Sequence, residues 1–210
     1  MLVDNAEQIR AAATHLFASL GYEGTSLQAI ADKVGVTKQT LLYHFPSKDA
    51  LKRAVLDHVF SHFRARLPQM LEAVTSGRGR FDALTRELVE FFEGDPDRAR
   101  LIVREVLDNP DGMRRLMGDN LRPWILLVGQ YIRQGKDAGI IHGDVDPEAY
   151  VLNVISSVLA NIVVRPVWPS VVGGEMSDSQ ASERQMQELF RSSRTALFVQ
   201  RGPLPLAPLK

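Results

Sequence analysis

The chain has 210 residues, with 25 Lys/Arg against 25 Asp/Glu, a formal net charge of zero and no cysteine. Apolar residues make up 45% and charged residues 24%, which excludes wholesale disorder and a uniformly basic coat and leaves enough apolar surface for a packed core. Without cysteine there is no disulfide framework, thiolate metal site or cysteine nucleophile. Charge is unevenly placed, however. Residues 26–66 carry seven Lys/Arg against three Asp, while residues 1–25 carry one Arg against three acids. A local basic surface on a neutral chain suits docking onto phosphate with one end only. Asp4 and Glu7 stand where a signal peptide needs a basic start. The longest uncharged run, 149–164, is sixteen residues, short of the roughly 18–20 that cross a bilayer. A soluble, cytoplasmic chain with no membrane partner is expected.

Apolar residues recur at three- and four-residue steps and no alternating strand pattern persists, so an all-α fold is expected. A first helix starts at an Asp4-x-x-Glu7 capping box, buries Ile9, Ala12, Ala13, Leu16, Phe17 and Leu20, and stops at Gly21. Two short helices follow within Thr25–Leu51, separated by a turn at Gly35. A longer helix opens after Pro46-Ser47, with Ser47 as N-cap, and runs through Leu51, Val55, Val59, Phe60 and Phe63. Pro68 is expected to end or kink it, because proline removes a donor and clashes one turn back. Ser76–Arg80 (SGRGR) reads as a loop. Helices at about 81–93, 96–108, 110–118 and 121–138 are separated by Gly94-Asp95-Pro96, Asn109-Pro110 and Gly118-Asp119. The loop GIIHGDVDP, 139–147, ends with Asp146 as cap and Pro147 in the first turn of a helix that reaches about Arg165. A Pro/Trp/Gly-rich stretch, 166–177, leads to a last helix at about 179–199. The tail GPLPLAPLK is expected to fray.

Thr25–Leu51 carries the chemistry. Ile30, Val34, Val36 and Leu41 form a small core between two crossing helices, Ala31 is small where they approach, and Gly35 supplies the positive φ of a tight turn. Thr37 is placed as N-cap of the second helix. Lys38, Gln39, Thr40, Tyr43 and His44 lie on its exposed face: Gln can pair with adenine, Lys with guanine, and Thr can touch a thymine methyl. Lys48 opens the next helix, where its charge and the free amides can share a phosphate.

The string Leu-Leu-Tyr-His-Phe-Pro-Ser-Lys-Asp-Ala-Leu, 41–51, together with the Thr25-Ser26 start, the Ile30-Ala31 pair and the Gly35-Val36 turn, resembles the TetR family of bacterial transcriptional regulators. The match covers about residues 7–56. It implies an N-terminal three-helix helix-turn-helix DNA-binding domain, residues 1–50, joined to a helical effector-binding and dimerisation domain, residues 51–210. It implies that Thr37, Lys38, Gln39, Thr40 and Tyr43 face DNA, that His44 and Lys48 touch phosphates, and that Thr25 and Ser26 approach the backbone. Gln39 departs from the small residue often found there, and Leu42 from a common tyrosine.

In the helix Pro147–Arg165, Val151, Leu152, Val154, Ile155, Val158, Leu159 and Ile162 cover about half the circumference. Asn153, Ser156, Ser157, Ala160 and Asn161 make an opposite face that is small and uncharged. The last helix has a narrower stripe of Met186, Leu189, Phe190, Ser193 and Leu197. Together they suit a two-fold four-helix bundle, and the resemblance also places a dimer interface there, with Val151, Ile155, Val158, Leu159, Ile162, Met186, Leu189, Phe190 and Leu197 as its residues. The resemblance further implies a small-molecule effector pocket, for which Phe91, Phe92, Arg104, Met113, Trp124, Tyr131 and Trp168 are candidates; packed core is the alternative for each. An inward Arg104 would favour an anionic effector.

The expected function is thus a homodimeric repressor on a palindromic double-stranded DNA operator, released by a small molecule, with no cofactor, no metal and no enzymatic activity. The alternatives are a helical adaptor that binds only protein and a small metal-dependent enzyme. For the latter His58 and His62 stand at i, i+4, with no third ligand tied to them by spacing.

Overall fold

The computed structural model describes residues 4–73, 77–172 and 178–199. Among them there are ten α-helices and no β-strand: α1 Asn5–Gly24, α2 Leu27–Val34, α3 Lys38–His44, α4 Lys48–Ala73, α5 Gly77–Glu93, α6 Pro96–Asp108, α7 Pro110–Asp137, α8 Pro147–Val164, α9 Trp168–Val172 and α10 Asp178–Leu197. A single 3-10 turn, Arg165–Val167, joins α8 to α9. The expected tail, 202–210, and part of the Pro/Trp/Gly-rich stretch, 173–177, lie outside the described residues.

The helix starts follow from local chemistry. Asp4, Ser26, Thr37, Ser47, Asp95, Asn109 and Asp146 each accept a hydrogen bond from a first-turn amide that has no partner within its helix. Pro96, Pro110 and Pro147 occupy first turns, where the missing N–H loses nothing. Gly21 interrupts α1 with φ 79° and ψ 171°, and a β-carbon there would lie 2.7 Å from Nη1 of Arg104. Gly35 takes the left-handed conformation, φ 79°, that closes α2.

Four expectations about elements are corrected. The loop expected up to Arg80 is helical from Gly77, because Arg78 reaches the Val199 carbonyl and the Phe198 ring while Arg80 lies over Tyr131; these contacts outweigh the poor helix propensity of two glycines. The break at Gly118-Asp119 does not form. Instead α7 runs for 28 residues through Pro123, buried along its length at Met113, Asn120, Gly129 and Ile132. Likewise α4 stays helical through Pro68 to Ala73. Leu20 is 55% exposed, since the turn at Gly21 leaves it outside the core.

One contiguous core runs from Ile9, Phe17, Ile30 and Leu41 through Leu51, Val55 and Phe60 to Phe92, Leu101, Val158 and Leu189. Because α4 passes from the first three helices into the rest of the chain, a division at residue 50 falls inside that helix. A smaller cluster of Phe81, Ile132, Ile141, Leu197 and Phe198 closes the far end. There the backbone after α10 pairs with the loop before α8: His142 N–H donates to the Leu197 carbonyl and Val199 N–H to that of Ile140. The helical stretch through α8 and α9 takes in Glu148 and Arg165 on either side of the uncharged run. Pro147–Val171 spans 25 residues, long and apolar enough by length and composition to cross a membrane, and 17% of its most apolar window is buried.

Candidate nucleic-acid interface and ligand cavity

The second short helix, α3, is anchored by Leu41, fully buried, and turns its other sides outward. Lys38, Gln39 and Tyr43 are exposed, Tyr43 by 86%. Thr37 caps the helix by accepting from the Thr40 amide at 3.0 Å, and the two hydroxyls lie 2.9 Å apart. His44 is half-buried with its ring edge-on to Tyr43 at 5.3 Å. Leu42 is only 36% exposed. Ser26 is exposed and caps α2. The structure separates Thr25 from this surface: it is 1% exposed, and its hydroxyl donates inward to the carbonyls of Gly21 at 2.8 Å and Leu16 at 3.1 Å. Its role is to hold the entry of α2, not to present a polar group to solvent.

Behind α3 lies a charged cluster that the sequence reading missed. Two ammonium groups lie against the Tyr22 ring, Lys48 Nζ at 4.1 Å and Lys52 Nζ at 4.2 Å from its centroid, a cation–π arrangement. Its hydroxyl donates to Asp49 at 2.6 Å, and burial together with that carboxylate pushes the Tyr22 pKa up to about 12. Lys52 also pairs at 3.3 Å with Glu105, 2% exposed on α6. The helix carrying Lys48 is thereby tied to α6. A second tie is His15 to Asp97 at 2.7 Å. Only residue spacing in three dimensions brings Tyr22, Lys52 and Glu105 together; no local pattern announces them.

Between α4, α5, α7 and α8 lies a cavity of about 370 Å³. Of the candidate pocket residues it gathers Phe92, Trp124 and Tyr131. The other four go elsewhere. Phe91 stacks on His62 with centroids 4.2 Å apart, Met113 is 2% exposed in the core, Arg104 abuts Gly21 of α1, and Trp168 lies on α9 with a buried indole N–H that has no partner among the described residues. An inward, effector-binding Arg104 is therefore corrected: the arginine in the lining is Arg80. Thr85, 3% exposed, also lines the cavity. The histidines offered for a metal take other roles. His62 Nε2 lies 2.7 Å from Glu87, and partial burial with nearby Arg10 and Arg98 pushes the His58 pKa down.

The residues expected at a dimer interface divide in the same way. Val158, Ile162, Met186, Leu189 and Leu197 are buried within the subunit, and Val151, Ile155 and Leu159 line the cavity. Phe190 packs half-buried against the core. What α8 leaves in solvent is the opposite ridge, Leu152, Ser156, Ala160 and Val164 at four-residue steps, continued by Val167 and Val171. Val154, Val158 and Ile162 face inward, where burying branched aliphatics stabilises the subunit, while Leu152 and Val164 stay on the exposed ridge.

Residues 9–55 match the family profile described as bacterial regulatory proteins, tetR family, and residues 79–191 match the tetracyclin repressor-like C-terminal domain. The HTH-type transcriptional regulator RutR of Escherichia coli K12 is 31% identical over 175 residues, covering 81% of this chain and 79% of RutR. The HTH-type transcriptional activator FasR of Mycolicibacterium smegmatis is 35% identical over 95 residues, 45% of this chain and 43% of FasR. The fold resembles that of the ketosteroid transcriptional regulator KstR2 of Mycobacterium tuberculosis, with a TM-score of 0.72 at 16% identity over 95% of this chain and 98% of KstR2.

Proposed function

The chain belongs to the TetR family and is a DNA-binding transcriptional regulator, and we propose that it is a cytoplasmic homodimeric repressor released from a palindromic operator by a small molecule held in the α5–α7 cavity. The observation that carries the DNA half is α3: one buried anchor, Leu41, and a capped helix whose exposed side offers Lys38, Gln39, Thr40 and Tyr43. Such a helix inserts its first turns into the major groove. Ser26, Thr37, His44 and Lys48 flank it as phosphate contacts. Gln39 and Tyr43 are the residues that read bases.

Dimerisation runs through the exposed ridge of α8 rather than its aliphatic face. Small and apolar residues at four-residue steps let two helices approach closely, and two copies of the same ridge are self-complementary about a two-fold axis. A paired head then meets two half-sites, which a single helix-turn-helix holds only weakly. Release needs a ligand with different affinities for the operator-competent and incompetent arrangements. The buried Lys52–Glu105 pair and the His15–Asp97 pair couple α6, beside the cavity, to α4 and α1 of the head.

Selection of bound sequences from random DNA tests the proposal. A two-fold symmetric consensus is the expected result, and no enrichment would sink the operator reading. Gln39→Ala is expected to change the selected bases. Lys48→Ala is expected to weaken all sequences alike and to lower the salt slope by about one. Ala160→Glu is expected to yield monomers in sedimentation and to lose operator affinity; a dimer that persists would move the interface elsewhere.

A further inference from the structure

Three threonines are buried among the described residues, and two of them have hydrogen-bond partners. Thr14, 9% exposed, donates to the Arg10 carbonyl one helical turn back at 2.9 Å, and Thr25, 1% exposed, donates to two carbonyls of α1. Thr85, 3% exposed on α5, makes no side-chain hydrogen bond to any described residue. Sequence spacing offers it the Phe81 carbonyl one turn back, the bond that Thr14 makes, and that bond is not formed. Nor is its oxygen one of the occluded polar atoms without a partner, which among the described residues are Arg10 Nε, Asn120 Oδ1 and Trp168 Nε1. An oxygen neither bonded nor occluded faces open space. The space that Thr85 borders is the cavity of about 370 Å³, a slot between α5 and α7.

The slot is otherwise walled mostly by hydrocarbon, Phe81, Leu88, Met117, Val128 and Ile155 among it. Its two ionised side chains each have a partner within the subunit. Arg80 lies 4.6 Å over the Tyr131 ring, and Glu87 meets His62 at 2.7 Å. Tyr150 donates to the Ser193 carbonyl at 2.8 Å. One cation and one carboxylate, both engaged, leave a charged ligand to be desolvated with no waiting counter-charge. A neutral ligand meets no such cost, and a hydroxyl can both donate to it and accept from it. We propose that the effector is an uncharged, mainly hydrocarbon molecule held by the Thr85 hydroxyl at a carbonyl or hydroxyl oxygen. The cavity volume lies near the lower end of the roughly 300–1,000 Å³ usual for ligand pockets, so the molecule is small. This deepens the effector reading above and rests on it.

Thr85→Val, nearly equal in shape, tests the free protein first. Its thermal midpoint is expected to stay or rise, because no bond is lost, whereas Thr25→Val should lower the midpoint. A fall as large as that of Thr25→Val would mean that the hydroxyl is bonded within the subunit, and would overturn the inference before any ligand is added. Titration calorimetry of the full chain then compares matched probes on two skeletons. One set is 2-acetylnaphthalene, 2-naphthoate, 2-naphthylmethylammonium and 2-isopropylnaphthalene; the other is 2-decanone, decanoate and decylammonium, below micelle formation. At least one ketone is expected to bind, roughly tenfold or more tighter than the anion and the cation of its skeleton. 2-Acetylnaphthalene should bind about fivefold tighter than 2-isopropylnaphthalene, the size of one neutral hydrogen bond. Thr85→Val should erase that preference and leave 2-isopropylnaphthalene unchanged. Binding by neither ketone, equal or tighter binding of a charged probe, or a ketone preference that survives Thr85→Val would each overturn the inference. Operator release is followed in parallel by fluorescence anisotropy. Tight ketone binding without release supports the ligand class and removes the release reading. Release by a charged compound, undisturbed by Thr85→Val, does the reverse.

Discussion

The DNA-binding head and the α5–α7 slot are both apolar assemblies, yet they place function in opposite ways. In the head the core residues Ile9, Phe17, Ile30 and Leu41 are fully buried, and the outer side of α3 combines capped polar groups with the exposed Tyr43. In the slot the apolar residues are left partly unspent, facing a void between α5 and α7. The head works by what it exposes and the slot by what it fails to fill. Stability and function are therefore separable in the head and joined in the slot, where a ligand supplies the missing contacts.

One pair of like substitutions puts the largest effect on that contrast. Leu41→Ala removes a side chain with neighbours on every side and should cost about 3 kcal/mol, the usual range for a packed leucine. Leu84→Ala removes a half-buried side chain that faces the slot and should cost about 1 kcal/mol, since fewer contacts are lost and an existing void grows. Urea denaturation of both variants measures the difference. Equal losses would mean that the slot is packed in solution and the contrast false.

That asymmetry also sets how much could be read without coordinates. The head was legible because each part is local: Ser26, Thr37 and Ser47 cap within three residues, and Gly35 turns within one. Thr25 was the exception. A threonine before an N-cap looks the same whether its hydroxyl faces water or, as here, two carbonyls of α1 nine and four residues back. In the remaining helices periodicity gave the apolar faces but not their partners. Val151, Ile155 and Leu159, expected at a dimer surface, line the cavity of the subunit, and a stripe does not say whether it meets another subunit, its own core or a cavity. Arg104 and Arg80 were indistinguishable in sequence; Gly21 and Tyr131, distant in the chain, decide between them.

Thr25 gives the next largest effect. Thr25→Val keeps the shape and removes a buried donor that bonds two carbonyls, so a loss of about 1–2 kcal/mol is expected. Operator affinity, measured where the variant is fully folded, should stay within about twofold, because no hydroxyl is withdrawn from solvent or DNA. A tenfold loss of affinity with unchanged stability would return Thr25 to the contact surface and make its burial in the free chain a conformational property.

The smallest effect on stability belongs to the most exposed aromatic. Tyr43 is 86% exposed and its ring meets that of His44 edge-on, so Tyr43→Ala should change the unfolding free energy by no more than about 0.5 kcal/mol. A large apolar ring left in water on a short helix has no structural reason to persist there, and the same substitution should weaken operator binding by roughly tenfold. Tyr43→Phe separates the two ways the ring can act. Retained affinity assigns it to stacking or methyl contact, and lost affinity to a hydroxyl hydrogen bond with phosphate or base. If instead Tyr43→Ala destabilises the free protein by more than 1.5 kcal/mol, about the value of one lost buried contact, the ring packs against the body in solution. The head would then share the slot's property of holding function and stability in one side chain.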